Sequence, residues 1–268
     1  MYFEKISSMK GDTMYKDFYE FVDRENEYTT ENTAKEHYDY GDLNLFIESY
    51  KLVNKKCLEI GSGKGIFQDM VVDYTGIDIA QNLGKYYKNG KKYIAIDSKY
   101  PFKNEEFDAI WTIAVFEHIP NLDEALLELK RVLKKGGVCY FHPAWQARPW
   151  AAEGYPVRNY SEFGIKGKLI KLSIPIRNNL IFRGLYVFPR RLVRKILNWG
   201  RVKNRNIKYK KLKPNYEKYW MSDSDACNSI DPYDAILWFE SNGFRCLNYK
   251  SNFEKFFVRN RAVIFEKQ

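Results

Sequence analysis

Three glycines within five positions constrain this chain more than any other feature. The apolar run Cys57-Leu58-Glu59-Ile60 passes directly into Gly61-Ser62-Gly63-Lys64-Gly65. A short apolar run of this kind reads as a buried strand. Glycines at its end let the backbone turn tightly and come close to a ligand on the way into a helix. A dinucleotide fingerprint is G-x-G-x-x-G, and its third glycine would fall on Ile66; here it stands at position 65. The spacing therefore points away from a pyrophosphate.

The rest of the pattern supplies the frame for that loop. Apolar runs recur at Tyr74-Thr75-Gly76-Ile77-Asp78, Tyr93-Ile94-Ala95-Ile96-Asp97, Phe107 to Thr112 and Gly137 to His142. Between the last two, apolar residues at 122, 125, 126, 129, 132 and 133 have helical spacing, and Lys134-Lys135-Gly136-Gly137 reads as a basic, glycine-terminated helix end. Strands alternating with helices imply a parallel α/β sheet with helices on both faces. Asp231-Pro232 opens a further helix, which Asn242-Gly243 closes. The β-rich runs Phe244–Tyr249 and Phe256–Phe265 are expected to form an antiparallel hairpin at the sheet edge.

Three acidic residues fall at strand ends: Glu59, Asp78 and Asp97. That rim is where open α/β sheets bind ligands. A carboxylate at Asp78 can accept both hydroxyls of a ribose, and one at Asp97 can accept an adenine amino group.

With the loop and the acidic rim together, residues 51–142 resemble class I S-adenosylmethionine-dependent methyltransferases, in the broad group that includes ubiquinone/menaquinone and small-molecule enzymes. The matching pieces are Leu58 to Gly65, Gly76-Ile77-Asp78, Asp97 with Pro101-Phe102, Phe107-Asp108, Phe116-Glu117-His118-Ile119 and Leu133 to Gly137. The resemblance implies a Rossmann-like, seven-stranded, mostly parallel sheet that binds S-adenosylmethionine. It implies that Gly61, Ser62, Gly63 and Gly65 line the methionine part and that Glu59 orients the loop. It places Asp78 and Ile79 at the ribose, Asp97 and Ser98 at the adenine, and Thr112 and Ile113 beside the sulfonium. The expected organisation is an N-terminal helical cap over 1–50, a cofactor-binding core over 51–142, a basic insertion after strand five over 143–230, and a helix and hairpin over 231–268 that complete the core.

The net charge of +10 is unevenly distributed. Residues 143–220 contain ten Lys, nine Arg and three Glu, a net of +16, so the remaining chain is net negative. Such asymmetry points to an anionic partner. Within the insertion, 184–199 has a basic amphipathic pattern: Leu192, Val193, Ile196 and Leu197 share a face, and Arg190, Arg191, Arg194 and Lys195 fill the rest. Two readings stand for it: a lid packed on the core, or peripheral contact with an anionic membrane surface. Arg148, Arg190 and Arg191 are expected to meet an anionic acceptor. Asp223 and Asp225, in Tyr219 to Ala226, are expected to bond its hydroxyls.

No apolar stretch is long enough to span a bilayer, and Met1–Lys10 lacks the apolar core of a signal peptide, so a cytoplasmic location is expected, at most peripheral to the inner membrane face. The four cysteines have no metal or redox spacing; they are expected to be reduced, and no metal site is expected. Methyl transfer needs positioning and a nucleophile in the right protonation state. His118 and His142, two of three histidines, are the candidate bases, since imidazole titrates near neutrality.

The expected function is O-methylation of an anionic precursor in cell-surface glycan synthesis: a phosphorylated, nucleotide-linked or lipid-linked sugar, or a phosphate-bearing group. The insertion also bears a low-specificity similarity to methyltransferases of bacterial surface-polysaccharide gene clusters, in Gly154 to Arg158, Phe188 to Arg191 and Trp220 to Ala226. The alternative is a quinone or lipid methyltransferase at the membrane surface. RNA is disfavoured as acceptor: Thr112-Ile113-Ala114-Val115 stands where an Asn-Pro-Pro-Tyr-type tetrapeptide would follow strand four, and the insertion has no recognisable RNA-binding module.

Overall fold

The computed structural model of the chain describes residues 15, 18, 19, 33–95, 99–197, 203–216 and 223–268. The frame is a seven-stranded sheet in the order β3-β2-β1-β4-β5-β9-β8. Its strands are β1 (Lys56–Ile60), β2 (Asp73–Asp78), β3 (Lys91–Ile94), β4 (Phe107–Ile113), β5 (Leu133–His142), β8 (Phe244–Cys246) and β9 (Val263–Lys267). The first five run parallel; β9 lies antiparallel between β5 and β8. This is the parallel α/β sheet that the alternating pattern predicts, with the Rossmann-like, seven-stranded form that the family resemblance implies.

Side-chain alternation sorts the core onto the two faces of the sheet. Cys139 and Phe141 of β5 join one cluster, with Leu58 of β1; Val138 and Tyr140 join the other, with Trp111 of β4. Over the first face lie α2 (Leu122–Val132) and α5 (Pro232–Ser241). Helix α2 buries Leu122, Ala125, Leu126, Leu129 and Val132, the periodicity read from the sequence. Helix α5 begins with Pro232 after Asp231, whose side chain accepts from the Tyr233 N–H. Its Phe239 ring stacks on Phe265 of β9, centroids 3.9 Å apart. The second face is covered by α1 (Tyr40–Ser49), which buries Leu43, Phe46 and Ile47; the Phe46 and Tyr140 rings meet at 5.5 Å.

Four local expectations change. The glycine loop leads not into a full helix but into one 3-10 turn, Gln68–Met70. The Gln68 side-chain oxygen is engaged by the N–H groups of Lys88 and Asn89, which fastens that turn to the chain before β3. β3 begins at Lys91, two residues before the apolar run suggests. Lys134–Gly137 does not end α2: the helix stops at Val132, and the stretch forms an irregularity in β5 between the pairs Phe107–Leu133 and Ala109–Val138. Lys134 there reaches the Asp108 carboxylate at 2.7 Å. Finally, the second run of the C-terminal hairpin starts as a helix, α6 (Asn252–Phe256), because Ser251 and Glu254 form a reciprocal capping box; its strand begins only at Val263.

Between β5 and α5 the chain leaves the sheet. It forms a helical hairpin, α3 (Ile165–Asn178) and α4 (Leu180–Leu197), and a small antiparallel pair, β6 (Tyr209–Lys211) with β7 (Asn228–Ile230). Among the described residues no helix is long and apolar enough to cross a membrane. All four cysteines are buried free thiols.

Candidate active site

The C-terminal ends of β1, β2 and β4 converge on the glycine loop. Gly61 and Ser62 donate their N–H groups to the Ile77 carbonyl, so the loop crosses from β1 onto the end of β2. Gly61, Gly63 and Gly65 have φ of +74°, +48° and +68°. A Cβ on Gly61 would lie 2.1 Å from Val115 Cγ2, just past β4, whereas one on Gly63 would meet nothing within 4 Å. Gly61 is thus required by packing. Gly63 faces open space, and its N–H donates to Asp78 Oδ2 at 2.7 Å. Asp78 Oδ1 accepts from the Ala80 N–H at 2.8 Å. Each oxygen keeps a further lone pair for a ligand.

Glu59 lies behind this loop. It is buried, accepts from the Tyr74 hydroxyl, and burial pushes its carboxyl up to about 8. Thr112 is buried at the end of β4, in register with Ile60 of β1, and its hydroxyl has no hydrogen-bond partner; Ile113 follows it, also buried. Ile79 follows Asp78 at the same strand end. A loop of positive-φ glycines, open space before Gly63, unused carboxylate lone pairs and an unsatisfied hydroxyl suit a ligand rich in ammonium and hydroxyl donors. S-adenosylmethionine fits that description. Asp97 and Ser98 lie outside the described residues.

A second cluster adjoins the first. Glu117 is fully buried; Oε1 accepts from the Ala144 N–H at 2.8 Å, and Oε2 has no hydrogen-bond partner. The Glu117 carbonyl accepts from Cys227 and Asn228, which draws the segment carrying Asp223 and Asp225 over the end of β4. His118 Nδ1 lies 3.2 Å from Asp225 Oδ2, and Nε2 lies 3.6 Å from Glu117 Oε1. Burial pulls the imidazole down, but Asp225, Glu117 and Asp223 together outweigh it and raise His118 to about 9. Burial pushes the carboxyls of Glu117 and Asp223 up. Glu117, His118 and Asp223 also bring donor atoms within 4.8 Å of one another, within reach of one metal ion, which the sequence reading did not expect.

Two tyrosines from the N-terminal segment close this region, and sequence reasoning missed both. Tyr19 donates to Asp225 Oδ2. Tyr15 is raised far above the ordinary phenol by burial, and among its electrostatic neighbours are both Asp78 and Asp225. Its ring packs against those of Tyr19 and Tyr216. Only the tyrosine-rich composition of the first fifty residues hinted at this.

Several expected acceptor residues lie elsewhere. His142 binds Asp39 Oδ2 through Nδ1 at 2.6 Å and the Asn260 carbonyl through Nε2 at 3.3 Å. Both ring nitrogens are engaged, and Asp39 also holds the imidazole's pKa above its ordinary value against the opposing effect of burial. His142 ties the residue preceding α1 to the loop before β9, which does not suit a base. Arg190 and Arg191 turn inward to Asp231, at 2.6 and 2.9 Å, and Arg191 is only 3% exposed. Arg194 approaches Asp234 at 3.5 Å. These arginines of 184–199 fasten α4 to the start of α5. Arg148 is different: it lies over the Trp150 ring and donates to the Tyr186 hydroxyl at 3.3 Å. Trp199 and Tyr219–Met221 lie outside the described residues.

Known proteins resemble the central part of this chain. Residues 58–141 match the family described as "Methyltransferase domain". A sterol 4-C-methyltransferase of Caenorhabditis elegans is 38% identical over 98 residues, 31% of this chain and 29% of that protein. A sterol 24-C-methyltransferase of Gibberella zeae is 32% identical over 98 residues, 31% and 26%. An uncharacterized protein of Methanocaldococcus jannaschii is 42% identical over 82 residues, 30% and 40%. The chain thus covers well under half the length of these curated relatives. Among solved structures, a candidate methyltransferase from Bacillus halodurans C-125 aligns with TM-score 0.45 at 16% identity, over 78% of this chain and 71% of that one. An S-adenosylmethionine-dependent methyltransferase from Mesorhizobium loti aligns with TM-score 0.37 at 14% identity, over 43% and 59%. Residues 58–141 of this chain are a methyltransferase domain of the class I S-adenosylmethionine-dependent family.

Proposed function

We propose that the protein transfers a methyl group from S-adenosylmethionine to a hydroxyl of a glycan precursor that also carries an anionic group. The observation that carries the reading is the Asp78 carboxylate bonded to the Gly63 N–H at the open side of the glycine loop. In this reading Gly61, Ser62, Gly63 and Gly65 line the methionine part, Asp78 and Ile79 the ribose, and Thr112 and Ile113 the reacting end. Glu59 supports the loop from behind through Tyr74. The bound sulfonium supplies an electrophilic methyl carbon, so the protein's task is to orient a nucleophile in line with it.

The cluster of Glu117, His118, Asp223 and Asp225 supports a hydroxyl as that nucleophile. Its carboxyl oxygens accept hydrogen bonds from hydroxyls. His118, in its neutral form, is the group placed to take the hydroxyl proton, with Asp225 to stabilise the resulting imidazolium. The acceptor's phosphate then falls to the insertion, where Arg148 is the expected residue still presenting its charge beside an aromatic ring. A lipid acceptor at a membrane surface is the second reading. The exposed apolar helices of the insertion favour it, and two of the partial relatives are sterol methyltransferases.

The test is calorimetry with S-adenosylmethionine, followed by label transfer to phosphorylated or nucleotide-linked sugars and, separately, to a lipid extract. Absence of cofactor binding would overturn the reading. Label in lipid alone would replace the glycan acceptor with the lipid one.

A further inference from the structure

Among the described residues, the α3–α4 hairpin exposes many large apolar side chains. On α3, Ile165, Leu169, Leu172 and Ile176 repeat at helical spacing and share one face; each is more than 60% exposed. The stripe continues past Asn179, whose side chain accepts from the N–H groups of Ile181 and Phe182 at the start of α4. Ile181 and Leu185 are exposed there as well, at 80% and 70%, and an open groove of about 510 Å³ runs between the helices at this turn. An apolar face this continuous is unusual on a protein surface that meets only water.

The charges around it restrict what can cover it. From 163 to 216 the sequence has no acidic residue, and the two helices together carry nine Lys and Arg. Arg190, Arg191 and Arg194 are paired inward with Asp231 and Asp234. Arg148, Arg177 and Arg183 rest instead on rings and neutral acceptors. Arg148 and Arg177 lie over the Trp150 ring at 5.4 and 4.5 Å, Arg148 donates to Tyr186, and Arg183 donates to Gln146 Oε1 at 2.7 Å. Burial and the neighbouring charge of Arg148 both pull the Arg183 guanidinium below its ordinary value. Cations grouped in this way are relieved by an anion. A second copy of the chain would bring a second acid-free, basic face against the first and increase the repulsion.

We propose that the α3–α4 hairpin seats the protein on an anionic phospholipid bilayer, with the Ile165–Leu185 stripe entering among the acyl chains and Arg177 and Arg183 binding lipid phosphates. The paired arginines of α4 hold the hairpin to the core and stay out of the contact. An interfacial helix of this composition combines apolar burial with attraction to anionic headgroups. This inference does not depend on which acceptor is methylated.

The experiment is co-sedimentation of the full chain with vesicles of phosphatidylcholine alone or mixed with phosphatidylglycerol, with cofactor affinity as the check on folding. The expected result is binding to the mixed vesicles, weakened by salt and absent from the neutral ones. Leu169→Glu with Leu185→Glu should abolish it, and Arg177→Gln with Arg183→Gln should weaken it about tenfold or more, both pairs retaining the wild-type circular dichroism and cofactor affinity. Leu169 and Leu185 are exposed, so charged replacements there leave the core intact. Wild-type protein that stays in the supernatant with phosphatidylglycerol vesicles overturns the proposal. So does a dimer in light scattering that Leu185→Glu dissociates, which would assign the face to a second copy.

Discussion

His118 Nδ1 and Asp225 Oδ2 stand 3.2 Å apart, one just past β4 and the other at the return from the insertion. The pair joins the sheet to the segment that covers it, and the Asp225 charge holds the proton on His118 up to about pH 9 in spite of burial. Since this folded-state pKa lies above the ordinary value near 6.5, the stabilisation is complete below about pH 6.5. It is lost as pH rises through about 9. The thermal midpoint of the wild type should therefore fall across that window, and His118→Gln should flatten the fall. A base must first lose this proton, so kcat should climb with pH towards about 9. His118→Gln should lower kcat by on the order of 10²-fold or more and remove that dependence, while His142→Gln should lower stability and leave the shape of the profile unchanged.

Asp78 has two tasks. Its oxygens hold the N–H groups of Gly63 and Ala80, and in the proposed reading their remaining lone pairs receive the ribose hydroxyls. Asp78→Asn keeps the shape and one acceptor oxygen but discards the charge. It should weaken S-adenosylmethionine binding by about 1.5–3 kcal/mol, roughly 10- to 150-fold in Kd, the scale of a hydrogen bond to a charged group. Calorimetry measures this directly, and unchanged affinity would remove Asp78 from the cofactor site.

Gly61 and Gly63 should fail in different ways. Both have positive φ, so alanine costs about 1–2 kcal/mol of backbone strain at either. At Gly61 the methyl also collides with Val115, and Gly61→Ala should lower the thermal midpoint well beyond Gly63→Ala. At Gly63 the methyl projects into open space. Gly63→Ala should keep most of the stability and lose cofactor affinity. Paired melting curves and binding isotherms decide the matter; equal melting losses at the two positions would contradict the loop geometry.

The contrast between these sites shows where sequence reasoning works. The glycine loop, Asp78 and the parallel strands are local in sequence: their spacing and period are set by neighbouring residues, and β1, β2 and β4 with the loop between them stand where the pattern predicts, while β3 and β5 start earlier. The roles of His118 and His142 depend on partners supplied by distant segments, Asp225 for one and Asp39 for the other, and no local period encodes those meetings. The same holds for Lys134–Gly137, whose glycines resemble a helix end until Phe107 and Ala109 pair across them. It holds also for the basic helix of the insertion, where composition gave the charge of Arg191 but could not tell that Asp231 would bury it.

That burial leads to the last prediction. Arg191 is 3% exposed; its guanidinium binds the Asp231 carboxylate and donates to the carbonyls of Phe256 and Val258. Asp231 also caps α5 through the Tyr233 N–H, and Arg190 shares its carboxylate. Removing one partner from a buried pair leaves the other charge uncompensated, at a cost of about 3–5 kcal/mol. Arg191→Ala should lose stability on that scale in urea unfolding, and Asp231→Ala should lose at least as much, since it strands two guanidinium groups and an uncapped helix. Changing both together should cost less than the sum of the two, because each single change already breaks the pair. Arg148→Ala, by comparison, touches a ring and one hydroxyl at the surface and should leave the melting curve within about 1 kcal/mol of the wild type. A large stability loss there, or none at Arg191, would reverse the division between structural and presented arginines.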